Sequence, residues 1–265
     1  IGRSPLPASL EECIVYLPYD STLNSKQFLK YDSGLQNENR FLIFYTEDRL
    51  RHLTRSRTLY CNDTFKTVLL KFYQPYTIHG TVSDYVFPLV YVLCSRKNEE
   101  TYISIFQHLK DRVQGMEMEL NPQFVLLDFE VGAIRAVQAV FINTIVKGCL
   151  FHFGQSVWRH VVNLGLKQRF IDDEVIRTDI SLLLAIPFVA LHDLQDVFDD
   201  LIERCHEDVQ DLVTCIETTY VRRGRRQAVP PRYPPNLWNV YDQVLNRAQR
   251  KTTLLKGAIG ASKKL

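Results

Sequence analysis

At 265 residues, with 46% apolar and 23% charged positions, the chain has the make-up of a globular protein able to bury its own core. That balance excludes a disordered chain, a collagen-like repeat and a disulfide-dense miniprotein, and without an apolar run of about 18 residues no membrane span is expected. The net charge of +2 conceals a division: 221–265 carries eleven Lys or Arg against Asp242 alone, a balance of +10, which leaves −8 for 1–220.

The first forty residues are polar and weakly periodic. Arg40–Tyr45 reads as a short strand and Glu47–Ser56 as a turn or two of helix. Thr58–Lys66, Lys71–His79 and Tyr85–Cys94 are rich in aromatic and β-branched residues and predict three successive antiparallel strands. Pro75 and Pro88 fit an edge or a bulge better than a regular ladder position. In Glu99–Val113 the apolar set Tyr102, Ile105, Phe106, Leu109 and Val113 changes to helical spacing. Phe124–Leu127 predicts a short buried strand ending at Asp128, and Val131, Ile134, Val137, Val140 and Phe141 another helix. Thr144–Phe151 then reads as a strand and Gly154–Leu166 as a helix. Phe170–Tyr220 is helical throughout, with an apolar stripe at Leu194, Val197, Phe198, Leu201 and Ile202. A last helix is expected near Trp238–Leu245.

Three meander strands followed by alternating helix and strand give a mixed α/β sheet flanked by helices, in the order of the ribonuclease H-like fold. Sites on that fold use carboxylates at strand ends to hold two divalent metals, which activate a nucleophile and clamp the leaving oxygen. Asp128, where a strand gives way to a helix, has the position for such a ligand; it equally suits a helix cap, and Glu130 suits the helix dipole.

Charge is also unevenly placed within the two halves. Asp172–Glu217 holds thirteen acids against Arg177 and Arg204. The run Arg222-Arg223-Gly224-Arg225-Arg226 is the densest basic stretch of the tail, joined further on by Arg250 and Lys251. It reads either as a contact for a polyanion such as DNA or as a solvated linker leading into Pro230, Pro231, Pro234 and Pro235. Cys149 and His152 form a Cys-x-x-His pair, two ligands where structural zinc wants four, so a buried Cys in a strand with a His at its end is favoured. Cys205-His206 would have to fold close by to complete a site, and His79 reads as structural. Trp158 and Trp238 are expected as packing anchors. The six cysteines lack a Cys-x-x-Cys pair and no leader precedes the chain at Ile1, so reduced thiols and an intracellular setting are expected.

Seven segments, in order, carry a family resemblance: NDTFKTVLLKFYQPYTIHG (62–80), FPLVYVL (87–93), the Tyr102–Leu109 helix, LLDFEVGAIRA (126–136), GCLFHFGQSVWR (148–159), LLLAIPFVALHDLQDVFDDLIE (182–203) and RYPPNLWNVYDQVLN (232–246). Together they resemble the transposase domain of Mutator-like elements, from about Phe41 to the end. The resemblance implies a ribonuclease H-like core with an Asp-Asp-Glu triad, a helical insertion before the Glu, Mg²⁺ or Mn²⁺ as cofactor, and DNA cleavage and strand transfer in the nucleus. It implies DNA as partner, with a homodimer as the assembly considered, and an extension over 1–57, a core over 58–168, an acidic helical insertion over 169–220 and a basic tail with the last core helix over 221–265.

Carried over residue by residue, the triad is altered. The family's Asp-Gly-Thr-Phe falls on Asn62-Asp63-Thr64-Phe65, so a carboxamide replaces the first acid. The second acid is retained as Asp128. The third, counted back from Gly257, falls on Lys256, whose ammonium would repel a metal. Asp63 and Glu130 are the accessory acids, though neighbouring strand residues face opposite ways and Asp63 could replace its neighbour only through a bulge. The expectation is a decayed or domesticated transposase core that no longer catalyses strand transfer, with a non-enzymatic DNA-binding or chromatin-associated module as the alternative.

Overall fold

A computed structural model describes residues 14–15, 20–63, 72, 74–83, 85–222 and 230–245. Seven strands among them form one mixed sheet: β1 (Leu29–Asp32), β2 (Phe41–Phe44), β3 (Thr58–Asp63), β4 (Gln74–Val82), β5 (Tyr85–Cys94), β6 (Phe124–Leu127) and β7 (Ile145–Gly148). Their spatial order is β1-β2-β5-β4-β3-β6-β7. The meander is as expected, β3 pairing antiparallel with β4 and β4 with β5, while β6 lies parallel to β3. This mixed α/β architecture is compatible with the ribonuclease H-like fold. β1 was not foreseen, because Leu29–Asp32 carries no burial alternation and only pairs with β2 through a register shift.

The chain divides into two compact units, Ile1–Val146 and Lys147–Leu265. In the first, α1 (Glu47–Thr54) begins at Thr46, whose hydroxyl accepts the Arg49 N–H, and buries Leu50 and Leu53. α2 (Glu99–Gln114) is capped by Asn98, whose Oδ1 accepts the Thr101 N–H at 2.9 Å, and carries Glu99 and Glu100 against the positive end of its dipole. Its whole predicted apolar face, Tyr102, Ile105, Phe106, Leu109 and Val113, is buried. α3 (Val131–Val140) packs on α2, and Gly132 makes this possible: a Cβ there would come within 3.1 Å of the Glu99 backbone nitrogen.

Pro88 sits at the register shift of the β4–β5 ladder, where Ile78 pairs with Val90 and His79 with Pro88, so its missing N–H falls at a bulge. Pro75, against expectation, takes a regular ladder position opposite Leu93 of β5, with no bulge there.

The second unit is helical: α4 (Leu150–Asn163), α5 (Lys167–Asp172), α6 (Glu174–Ala185), α7 (Leu194–Arg204), α8 (Gln210–Ile216), α9 (Pro235–Trp238) and α10 (Tyr241–Leu245). α8 runs into a π-helical turn, Glu217–Val221. Trp238 is fully buried, stacks on Phe153 at 5.5 Å between centroids, and donates its Nε1–H to the carbonyls of Tyr220 and Tyr233. Trp158 packs edge-on to Phe170 at 5.1 Å, so both tryptophans are packing anchors as expected.

Two boundaries differ from expectation, the first being β4, which runs past His79 through Gly80 to Val82. The strand predicted over Thr144–Phe151 ends at Gly148, and the next helix starts at Leu150 instead of Gly154. Leu150, Phe151 and Phe153 have strand-like side chains, but burying Phe153 with Val157 and Val161 on one helical face outweighs that local preference.

Candidate functional site

The strand ends place the candidate residues. Thr58, Leu59 and Tyr60 of β3 register with Phe124, Val125 and Leu126 of β6. Continued by two residues, that register brings Asn62 level with Asp128, which lies just beyond β6 and is 8% exposed. The β3–β4 ladder is regular from Tyr60 to Asp63, without a bulge. Asp63 pairs with Tyr76 on β4; its side chain lies outside the described residues.

Beneath these ends lies a buried group of phenols and a thiol. Tyr76 and Tyr102 are both fully buried, with centroids 5.0 Å apart. Burial, followed by the nearby Cys61, Tyr102 and Asp128, pushes the Tyr76 phenol well above its ordinary range, so it stays protonated. Asn62 Oδ1 is buried and has no hydrogen-bond partner among the described residues, a donor oxygen desolvated where the resemblance puts a metal ligand.

Asp128 does not cap α3. Glu130 holds the cap position, without a side-chain capping bond, and its N–H reaches the Asp128 carbonyl at 2.8 Å. The carboxylate of Glu130 pairs with Lys97 at 3.8 Å, both side chains being largely buried, so a cation already stands at this acid.

Divalent metal would need hard, charged oxygen ligands. Among the described residues no group of three His, Cys, Asp or Glu is placed to hold an ion. Of the described side chains, the continued β3–β6 register sets at one level one carboxylate, Asp128, and one neutral carboxamide, Asn62. This set does not fit a two-metal centre.

In the second unit Cys149 is the residue before α4 and His152 lies in its first turn, in place of the strand expected for Cys149 with His152 at its end. Cys205 and His206 do not complete a ligand set with them. The His206 N–H donates to Asp179 at 2.8 Å, and its Nδ1 accepts the Asp208 N–H at 3.2 Å. Burial, then Asp179, pushes the Cys205 thiol up to about 11, the reverse of what thiolate ligation requires. His79 is structural as expected: its Nδ1 lies 3.3 Å from the Tyr60 carbonyl, and burial lowers its pKa.

Arg222, the first arginine of the basic run, is held by its own unit. Its guanidinium pairs with Asp199 and, through Nε, with Glu217 at 2.9 Å, and both partners raise its pKa. Arg223, Arg225, Arg226, Arg250, Lys251 and Lys256 lie outside the described residues.

The parallel β3–β6 pair, with Asn62 near the end of β3 and Asp128 just after β6, lies with α3 inside a span that comparison recognises. Residues 58–156 match the MULE transposase domain. The match begins at the first residue of β3 and ends within α4, taking in Asn62, Asp128, Cys149 and His152. It is shorter than the resemblance expected from Phe41 onward, and Lys256 falls outside it. No curated protein matches the chain. This match suggests a Mutator-like, transposase-related function; transposase domains in general act on DNA and use a divalent metal when active. No helix among the described residues is long and apolar enough to cross a membrane.

Proposed function

We propose that this chain is a Mutator-derived transposase core that engages DNA in the nucleus without carrying out strand transfer. What supports this reading most is Asn62, a neutral carboxamide where the resemblance implies the first acid, level with Asp128 when the β3–β6 register is continued. Replacement of the third acid position by Lys256 supports the same reading. A carboxamide contributes an oxygen dipole but no charge, and a single carboxylate does not neutralise two divalent ions.

Calorimetric titration with Mn²⁺ tests this. The wild-type chain should give no binding heat at millimolar metal, and Asn62→Asp with Lys256→Glu should gain it. Wild-type binding that disappears in Asp128→Ala would sink the reading and return the chain to the active enzymes. A purely non-enzymatic role as a DNA-binding or chromatin-associated module has the basic tail in its favour. DNA binding that is unchanged by EDTA is expected on that account.

A further inference from the structure

The first unit contains a second basic run that the tail had overshadowed. Between Arg49 and Arg57 the sequence reads RLRHLTRSR, four arginines in nine residues on α1 and the turn into β3. None of the four is in ion-pair contact with a carboxylate among the described residues. The two acids of α1 are already taken: Asp48 pairs with Lys26 at 2.9 Å, and Glu47 with Lys30 at 3.3 Å and Arg112 at 2.9 Å. Arg51 is only a weaker contributor to the lowered pKa of Asp48. Arg57 hydrogen-bonds the neutral Gln123, and Arg49 lies over the rings of Phe28 and Tyr91 at 5.9 and 5.7 Å. Arg51 reaches only the Met118 sulfur, at 4.0 Å, so among the described residues no carboxylate pairs with this run.

This run abuts the outer end of the β4–β5 hairpin. Ser56 Oγ, between Arg55 and Arg57, accepts the Thr81 N–H at 2.9 Å. Since Tyr60 pairs with His79 and Asn62 with Thr77, the Val82 end of β4 lies at the opposite end of the sheet from Asn62. There Tyr85 is 72% and Phe87 47% exposed, side by side with centroids 6.4 Å apart. A cavity of about 320 Å³ opens beside them, lined by Arg49, Val82, Phe87, Pro88 and Leu89. Isolated exposed aromatics are ordinary, but two adjacent ones beside an apolar cavity with an arginine in its wall make a stacking platform within reach of phosphate-binding cations.

We propose that the hairpin end and the Arg49–Arg57 run together form a binding surface for single-stranded DNA, with an unstacked base against Phe87 and the arginines on its phosphates. The proposal rests on the DNA-engaging function proposed above and adds where, and in which form, DNA is held. Single strands are favoured over duplex because stacking platforms take bases that are free of their own stack, which a duplex keeps inside.

The test is fluorescence anisotropy of a labelled oligothymidylate and a duplex of equal length at low salt. Tyr85→Ala with Phe87→Ala alters only exposed rings; it should weaken oligothymidylate binding about tenfold and duplex binding less than about twofold. Arg51→Gln with Arg55→Gln should lower the slope of log affinity against log salt by about 0.7 per arginine. Its unfolding curve, matched to wild type, excludes misfolding as the cause. Wild-type binding that neither variant changes would overturn this surface and leave the DNA-engaging function standing. No wild-type binding to either probe would overturn both. Self-association lost in the aromatic variant, with DNA affinity unchanged, would instead assign the platform to a second copy of the chain.

Discussion

Introducing a carboxylate at Asn62, as Asn62→Asp, should destabilise the protein in a way that pH and metal both reverse. Adjacent strands run about 4.8 Å apart, so side chains at level positions hold their charges roughly 5–6 Å from one another. At an effective dielectric constant of about 20, two carboxylates at that distance repel by about 3 kcal/mol. Asn62 is only partly buried, and solvent screening reduces this to about 1–2 kcal/mol. Urea unfolding at neutral pH should show that loss relative to wild type. The sign follows from the proton balance. Repulsion makes the folded pair hold a proton that the unfolded chain releases, so the penalty is full above the pair's titration and fades as pH falls towards about 4. Millimolar Mn²⁺ at neutral pH should recover stability by binding between the carboxylates. A destabilisation equal at all pH values and indifferent to Mn²⁺ would refute the reasoning, placing the two side chains on opposite faces of the sheet.

Three further outcomes follow from the packing. Arg40 is 1% exposed and donates to both oxygens of Asp32, at 3.0 and 2.7 Å. Burial raises the Asp32 carboxyl, but Arg40 and the Gly34 N–H outweigh it and hold it below its ordinary value. Asp32→Asn should therefore cost about 3 kcal/mol by denaturant unfolding at neutral pH, and the difference from wild type should shrink as pH falls below about 4. Gly80→Ala would place a Cβ 2.4 Å from Ser56 Oγ and 2.7 Å from Leu89 Cδ1, and should lower stability by about 1–3 kcal/mol. Pairing it with Ser56→Gly should recover part of that loss in the same unfolding assay. Trp238→Phe removes the donor shared by the Tyr220 and Tyr233 carbonyls, and a loss of about 2–4 kcal/mol is expected by thermal unfolding.

The legible parts of the fold were those in which local pattern and tertiary environment agree. β5 and β6 fall where alternation and turn signals place them, and α2 buries its predicted face, because an apolar stripe and an Asn98 cap specify the same helix. The start of α4 was not legible: Leu150–Phe153 suits a strand locally, and only the partners of Phe153 in the folded unit decide for helix. At the site, a substitution can be read directly from residue type, which is why Asn62 stood out. Pairing is not in residue type, so the ties of Arg222 to Asp199 and Glu217 were invisible. The same reason hid the Arg49–Arg57 run, whose local acids are conspicuous in sequence and become occupied only when Lys26, Lys30 and Arg112 fold onto them.

The π-helical turn after α8 has a consequence for how this chain can change. Arg222 N–H bonds back to the Glu217 carbonyl, and Tyr233 N–H bonds to the Thr219 carbonyl, so the chain departs from and returns to the same turn. Trp238 then locks the return from beneath. Arg222, Tyr220 and Tyr233 are thus tied to one turn and one indole, so loosening Trp238 should release all three together and not one at a time.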